Sequence, residues 1–310
     1  MLSTIISRRP PEKKGKKGDC FSCNPALCRI FAASICKTCA FKRKPMTSSP
    51  KYTVTFVGAG RLATQLAIAL QNAGHRIMGI YSRTRLSADR LLWQLEHKSP
   101  IVVTNRLTDL PWTDVYIIAV TDTALTEVIV QWPQQAKDRV VLHTAGSLAM
   151  DMLKPISGHY GVLYPMQTFS MGIPVDFKEV FVFTESNCPT VQKVVSDLAL
   201  SISNHVCELS SAARKHLHIG AVMACNFSNH LYEMAFNYLS EYGIPPDCLL
   251  PLIDETVAKL HRMSPHEGQT GPACRGDRRV LEEHLQMLDG HTLLREFYKL
   301  FSDSIAKSFA

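Results

Sequence analysis

Gly58-Ala-Gly-Arg-Leu-Ala63 constrains this chain more than any other stretch, because of what flanks it. Tyr52 to Val57 is a β-branched and aromatic run that stops at glycine, and Leu66, Ala67, Ala69 and Leu70 continue at helical spacing as far as Gly74. Set between a strand and a helix, the pattern G-x-G-x-x-A is a steric specification. Gly58 permits the tight turn, Gly60 lets a diphosphate approach the main chain, and Ala63 keeps the helix close to the sheet. The helix N-terminus then turns its free amides toward the phosphates. Gly58, Ala59, Gly60, Arg61, Leu62 and Ala63 are the candidate contacts.

The end of the next strand, Arg76 to Tyr81, selects between adenine dinucleotides. An Asp or Glu there would hydrogen-bond the ribose 2′-hydroxyl of NAD. The chain reads Tyr81-Ser82-Arg83-Thr84-Arg85 instead. Two hydroxyls and a guanidinium suit a 2′-phosphate, so Ser82, Arg83 and Thr84 favour NADP(H) over NAD(H). Arg83 also reads as a solvated surface arginine.

Further strands are expected at Ile101–Val103, Val115–Val120, Val140–His143 and Gly161–Tyr164, with a helix near Thr123–Trp132 stopped by Pro133. Alternating elements of this kind predict an α/β fold, a Rossmann-type doubly wound parallel sheet followed by an all-α C-terminal domain. Carboxyl ends of parallel strands line the ligand crevice of such a sheet. That places Thr121, Thr144 and Ser147 near a nicotinamide ribose or a substrate, or leaves them as ordinary turn and N-cap residues.

Later in the chain Tyr164-Pro-Met-Gln167-Thr leaves the sheet, and Gln167 is a candidate substrate contact. Val180–Thr184 and His205–Glu208 resemble strands, and Pro189–Ser203 a helix. Ser211–Leu239 is a long apolar segment with Gly220, Ala221, Ala224 and Cys225 on several faces, as in a helix packed all round. Lys215, His218, Asn226, Asn229 and Glu233 fall on one stripe of it at 100° per residue. The stripe either lines a substrate cleft or makes a hydrogen-bonded helix–helix or dimer contact. In the first case His218 is the proton donor, Asn226 an orienter, and Lys215 the rival donor or an anion binder. Gly271-Pro272 is turn chemistry, Asp277 can cap the following helix, and Arg275 either clamps an anionic substrate group or pairs with Asp277.

Charge isolates the first fifty residues. They carry eleven Lys/Arg against Glu12 and Asp19, so the net charge of +7 belongs to them and the remaining 260 residues stand at −2. The same segment holds Cys20-x2-Cys23 and Cys36-x2-Cys39, readable as a zinc knuckle or as a basic leader upstream of a start at Met46. The leader reading is preferred, so no metal and no nucleic-acid partner is expected. No apolar run reaches the 18 or so residues of a membrane helix. Scattered cysteines in the body fit a reducing compartment, which points to the cytoplasm. The domains expected are 1–50 as leader, 51–180 for the dinucleotide and 181–310 as a mainly helical domain for substrate and dimerisation.

Tyr52 to Phe309 resembles a family of Rossmann-like NADP oxidoreductases with a C-terminal helical domain of unknown function, common in bacteria. These group loosely with deazaflavin-dependent NADP oxidoreductases, pyrroline-5-carboxylate reductases and β-hydroxyacid dehydrogenases. The landmarks are Gly58–Ala63, Tyr81-Ser-Arg-Thr84, His143-Thr-Ala-Gly-Ser147, Tyr164-Pro-Met-Gln-Thr168, Leu217–Asn226 and Thr270–Asp277. The resemblance implies hydride transfer between NADP(H) and a small carbonyl, imine or hydroxyacid, and a homodimer through the helical half. A nucleotide sensor without catalysis is the alternative. β-Hydroxyacid dehydrogenases carry Lys-x-x-x-Asn on their first interdomain helix. Here Lys215 is followed four residues later by Ile219, so their catalytic pair is not carried over.

Overall fold

The computed structural model describes residues 50–96 and 100–310. The cysteine pairs of the first fifty residues and Met46, with the zinc and leader readings attached to them, lie outside the described residues. The chain divides into two compact units, one up to His216 and one from Leu217 to Ala310.

In the first unit, strands and helices alternate: β1 (Thr53–Val57), α1 (Arg61–Asn72), β2 (Arg76–Tyr81), α2 (Arg85–Leu92), β3 (Val102–Thr104), β4 (Val115–Ile118), α3 (Asp122–Val130), β5 (Val140–His143), β6 (His159–Met166), β7 (Phe181–Ser186), α4 (Pro189–Ile202) and β8 (His205–Glu208). The sheet order is β3-β2-β1-β4-β5-β6-β7-β8. The first six strands run parallel in the doubly wound order, β7 is antiparallel to β6, and β8 is parallel to β7.

Strand period decides the core. Val54 and Phe56 of β1, Ile117 of β4 and Leu142 of β5 pack into one cluster with Leu66 and Leu70 of α1 and Val195 and Leu198 of α4. Their neighbours Val57, Ile118 and Val141 face the other side, against Leu125 and Val128 of α3. A sheet covered on both faces needs apolar residues at successive positions, which is why these strands read as continuous hydrophobic runs.

The sequence reading divided the chain at residue 180, but the sheet continues through β7 and β8 to Glu208. The strand-like patterns at Val180–Thr184 and His205–Glu208 are strands of the same sheet, with α4 packed on it.

The second unit is helical: the end of α5 (Ser211–Ala221), a π-helical turn (Val222–Phe227), α6 (Ser228–Glu241), α7 (Leu250–Lys259), α8 (Arg278–Met287) and α9 (Thr292–Phe309). Sequence alone predicts one unbroken helix over Ser211–Leu239, packed all round. Both features differ in the structure. The π turn advances more slowly per residue, so everything after it lags by roughly a quarter turn. Gly220, Ala224 and Cys225 are exposed, as are Ile219, Met223 and Phe227. Ala273 and Leu288 are the buried residues of the whole unit. No helix among the described residues is long and apolar enough to cross a membrane.

Candidate dinucleotide-binding site

The site begins at one row across the sheet. Tyr81 of β2, Val57 of β1, Ile118 of β4, His143 of β5, Val162 of β6 and Glu185 of β7 are successive register partners. For β1, β2, β4 and β5 this row is the last residue of the strand, so the segments that follow it share one edge.

Gly58 leaves that row with φ +119° and donates its N–H to the Tyr81 carbonyl at 2.8 Å. A Cβ there would stand 2.2 Å from the Ala119 carbonyl oxygen, so a side chain is excluded by backbone as well as by conformation. Gly60 is the opposite case. It is extended (φ −78°, ψ −175°) at the N-cap of α1, and a Cβ built on it meets no protein atom within 4 Å. Open space beside a bare main chain is what a diphosphate requires. The N-terminus of α1 has no side-chain cap and no acidic residue in its first turn, so its amides and dipole stay available to an anion. Arg61 is exposed, Ala59 and Leu62 are half-buried, and Ala63 is fully buried against the sheet. The residues present fit the pyrophosphate of a dinucleotide.

At the end of β2, Ser82 is half-buried while Arg83 and Thr84 are exposed. Thr84 is the N-cap of α2, with its hydroxyl donating to Ser87 Oγ at 2.8 Å. Arg83 Nη1 lies 3.6 Å from Glu127 Oε2 of α3, both side chains being more than half exposed. An exposed pair of this kind contributes at most about 1 kcal/mol, so the guanidinium is easily drawn to a phosphate. Although the strand end itself holds no carboxylate, α3 brings one alongside.

The polar residues at the ends of β4 and β5 have partners of their own. Thr121 caps α3, accepting from Ala124 N at 3.4 Å, and Ser147 Oγ bonds Asp122 Oδ2 at the start of that helix. Buried Thr144 donates its N–H to Ile118 O at 3.2 Å. Gln167 follows the last residue of β6 and is exposed; its side-chain oxygen accepts from Thr168 N at 2.7 Å.

Beside this edge stands a cluster that sequence reasoning missed. Arg214 in the first turn of α5 is fully buried and pairs through Nη1 with Glu185 Oε2 at 2.5 Å. Its other donors reach Ala145 O (3.2 Å), Leu148 O (2.6 Å) and Ser211 Oγ (3.2 Å). Glu185 in turn accepts from Ser211 N and Ser211 Oγ, both at 2.7 Å. His143 is buried next to it: Nδ1 accepts from Ala145 N at 3.1 Å, and Nε2 points toward the Ala149 carbonyl without reaching hydrogen-bond geometry. Burial, and then the Arg214 charge, push its pKa down from 6.5 to about 4.

The neutral His143 has a consequence for stability. Below pH 6.5 the unfolded chain takes up a proton that the native state refuses until about pH 4. His143 thus favours folding above pH 6.5, and that contribution is lost as pH falls toward 4. His143→Asn, which keeps an acceptor near the Ala145 amide, should flatten the loss in urea unfolding free energy between pH 7 and 4 by about 3 kcal/mol. Equal losses in variant and parent would refute this.

Of the remaining candidates, Lys215 is exposed on α5, one position from the buried Arg214. His218, Asn226, Asn229 and Glu233 belong to the second unit, where the π turn separates the face of His218 from that of the later residues. His218 is half-buried, Asn226 and Asn229 are exposed, and Glu233 Oε2 contacts His230 Nδ1 at 3.1 Å. Gly271 and Gly276 take positive φ, Asp277 caps α8 by accepting from Val280 N, and Arg275 is exposed. No cluster of three or more His, Cys, Asp or Glu able to hold a metal occurs among the described residues.

The doubly wound sheet and its glycine turn define a Rossmann-type protein. Residues 42–166 match the Rossmann-like domain model, and residues 180–305 match a domain of unknown function, DUF2520. BF3122 from Bacteroides fragilis, provisionally named an NADP oxidoreductase, is 39% identical over 83% of this chain and 98% of its own, with a TM-score of 0.76. The chain belongs to this family, which joins a Rossmann-like domain to a DUF2520 domain. TM1727 from Thermotoga maritima (23% identity, 82% of this chain and 98% of that one, TM-score 0.60) shares the fold. So does a Streptomyces aurantiacus imine reductase (13%, 82% and 95%, TM-score 0.53). A comparison with curated proteins returned no match.

Proposed function

We propose that the protein is an NADP(H)-dependent oxidoreductase acting on a small carbonyl, imine or hydroxyacid. The observation that carries the reading is the pair of glycines: Gly58 is excluded from bearing a side chain by the fold, whereas Gly60 is bare where the fold leaves room. The name of BF3122 supports the same cofactor. Bound nicotinamide supplies or accepts the hydride. The protein's part is to hold the diphosphate on the first turn of α1, to meet the 2′-phosphate with Ser82, Arg83 and Thr84, and to place Thr121, Thr144 and Ser147 along the edge. His218 and Lys215 are the rival proton donors of this reading, and Arg275 and Gln167 its substrate contacts; the π turn takes Asn226 off the face of His218, so Asn226 is not kept as its orienter. The thiols of Cys188, Cys225, Cys248 and Cys274 form no disulfide, which supports a reducing, cytoplasmic location.

Fluorescence titration with NADPH and NADH tests the cofactor. NADPH should bind at least about tenfold more tightly, and Arg83→Ala should remove most of that margin. Equal affinities in the parent would discard the 2′-phosphate reading. Turnover of NADPH across ketoacids, imines and hydroxyacids separates an enzyme from a sensor: binding without consumption favours the sensor.

The helical unit supports a second proposal, a homodimer. Its 94 residues hold two buried side chains, while Ile219, Met223, Phe227, Leu252, Leu293 and Leu300 are each more than half exposed. An apolar groove lined by Tyr232, Ala235, Phe236, Leu249, Leu252 and Ile253 opens between α6 and α7. A unit of this size cannot offset its conformational entropy without a core. The apolar residues run along several helices, so the missing half of the core is as extensive as the unit itself. A permanent, equimolar partner of matching extent is a second copy of the chain.

A further inference from the structure

We propose that Arg214 and Glu185 position the Thr144–Leu148 turn so that its main-chain amides hold the nicotinamide half of the dinucleotide, a role that rests on the NADP(H) reading above. The argument starts from what the guanidinium touches. Arg214 takes the carbonyls of Ala145 and Leu148 together, at 3.2 and 2.6 Å, from a fully buried position. In a trans peptide the N–H points opposite to the C=O. Fixing these two carbonyls therefore turns the N–H groups of Gly146 and Ala149 to the side of the turn away from Arg214. Neither N–H has a hydrogen-bond partner among the described residues. An amide left unpaired at the edge of a core is costly unless a ligand or water meets it.

The position of the turn says which part of a dinucleotide would do so. It follows His143, whose register partner Ile118 is paired with Val57, the residue before Gly58. The diphosphate turn lies at β1 and the adenosine contacts at β2, on one side of β4. The Thr144–Leu148 turn lies at β5, on the other side. Across a doubly wound sheet the two halves of a dinucleotide divide at that point. The amides at β5 thus suit an oxygen of the nicotinamide carboxamide or ribose.

Three further ties hold the turn rigid: Thr144 N on Ile118 O, Ala145 N on His143 Nδ1, and Ser147 Oγ on Asp122. Arg214 is itself fixed, since Glu185 holds both the guanidinium and the Ser211 amide two positions after the start of the loop into α5. A buried ion pair adds little net stability over an apolar pair of similar volume. Its distinctive contribution here is geometric: a planar fork takes two carbonyls and a carboxylate from three separate nitrogens in one fixed geometry, which neither an apolar side chain nor the single nitrogen of a lysine reproduces.

The test compares two ligands on the full-length protein: NADPH, and 2′-phospho-ADP-ribose, which lacks the nicotinamide. The variants are Arg214→Lys and the double variant Arg214→Met with Glu185→Gln. The double variant removes both charges together, so no orphan carboxylate is left buried to unfold the chain. Both should weaken NADPH about tenfold or more while shifting 2′-phospho-ADP-ribose less than about twofold, and should raise the KM for NADPH in any turnover assay. Equal weakening of both ligands means a general structural role and overturns the proposal, as does unchanged NADPH affinity. If the parent protein binds 2′-phospho-ADP-ribose and NADPH equally, the nicotinamide is not gripped and the proposal fails while the dinucleotide reading stands. If the parent binds neither, the NADP(H) reading itself fails.

Discussion

Gly60→Asp abolishes dinucleotide binding and leaves the fold intact: that is the expected result, and each half of it has a separate cause. A side chain at Gly60 meets no protein atom within 4 Å, so nothing in the folded chain resists it. Gly60 is also the N-cap of α1, where aspartate is preferred to glycine, so thermal stability should be unchanged or slightly higher, by a few tenths of about 1 kcal/mol. The same carboxylate occupies the space of the diphosphate and repels it, and affinity for NADPH should fall at least about 100-fold, close to 3 kcal/mol. Gly58→Ala behaves in the reverse way. Its Cβ would lie 2.2 Å from the Ala119 oxygen at a φ of +119°, so the cost falls on folding, at roughly 3 kcal/mol or more. Calorimetric titration with NADPH and thermal melts of both variants separate the two effects. Full-strength binding by a folded Gly60→Asp protein would end the assignment of this turn to a diphosphate.

The contrast between these glycines explains what was legible in the sequence. Everything decided by local sterics could be read: the turn at Gly58, the strand before it, the helix after it, and the alternation that gives the first six strands their order. Strands at Val140–His143 and His205–Glu208 coincide with those in the structure to the residue. The extent of the sheet was less legible. Val180–Thr184 was recognisable as strand-like, but whether it joins the sheet depends on pairing with β6, which one strand's pattern does not state. The Arg214 cluster was illegible for the same reason. Glu185 lies 29 positions before Arg214, and only the β6–β7 register brings it to the edge beside His143. A count of charges at 100° per residue selected Lys215, its exposed neighbour. That count also assumed uniform helical advance, and the π turn at Val222–Phe227 removes the assumption.

The two units also differ in how far a single chain accounts for them. In the first, residues on both faces of the sheet are buried. In the second, apolar patterning without burial recurs on every helix. These exposed apolar positions are the observation on which the proposed dimer rests.

From this follows the prediction with the broadest effect on the molecule. The full-length protein should sediment as a dimer at micromolar concentration, and its melting temperature should rise with concentration, because folding of the helical unit is then linked to association. Ile219 and Met223 lie one turn apart, 57% and 59% exposed, at the start of the uncovered surface. Changing both to Asp adds two charges where a dimer would bury them, at a cost of several kcal/mol. The variant should sediment as a monomer, and hydrogen exchange should show loss of protection across α6 to α9 while the strands β1 to β6 keep theirs. The first unit has its own core, so NADPH binding through Gly58 and Gly60 should survive in the monomer, if weakened. A parent protein that is monomeric, with a melting temperature independent of concentration, would show that the helical unit completes its core in some other way.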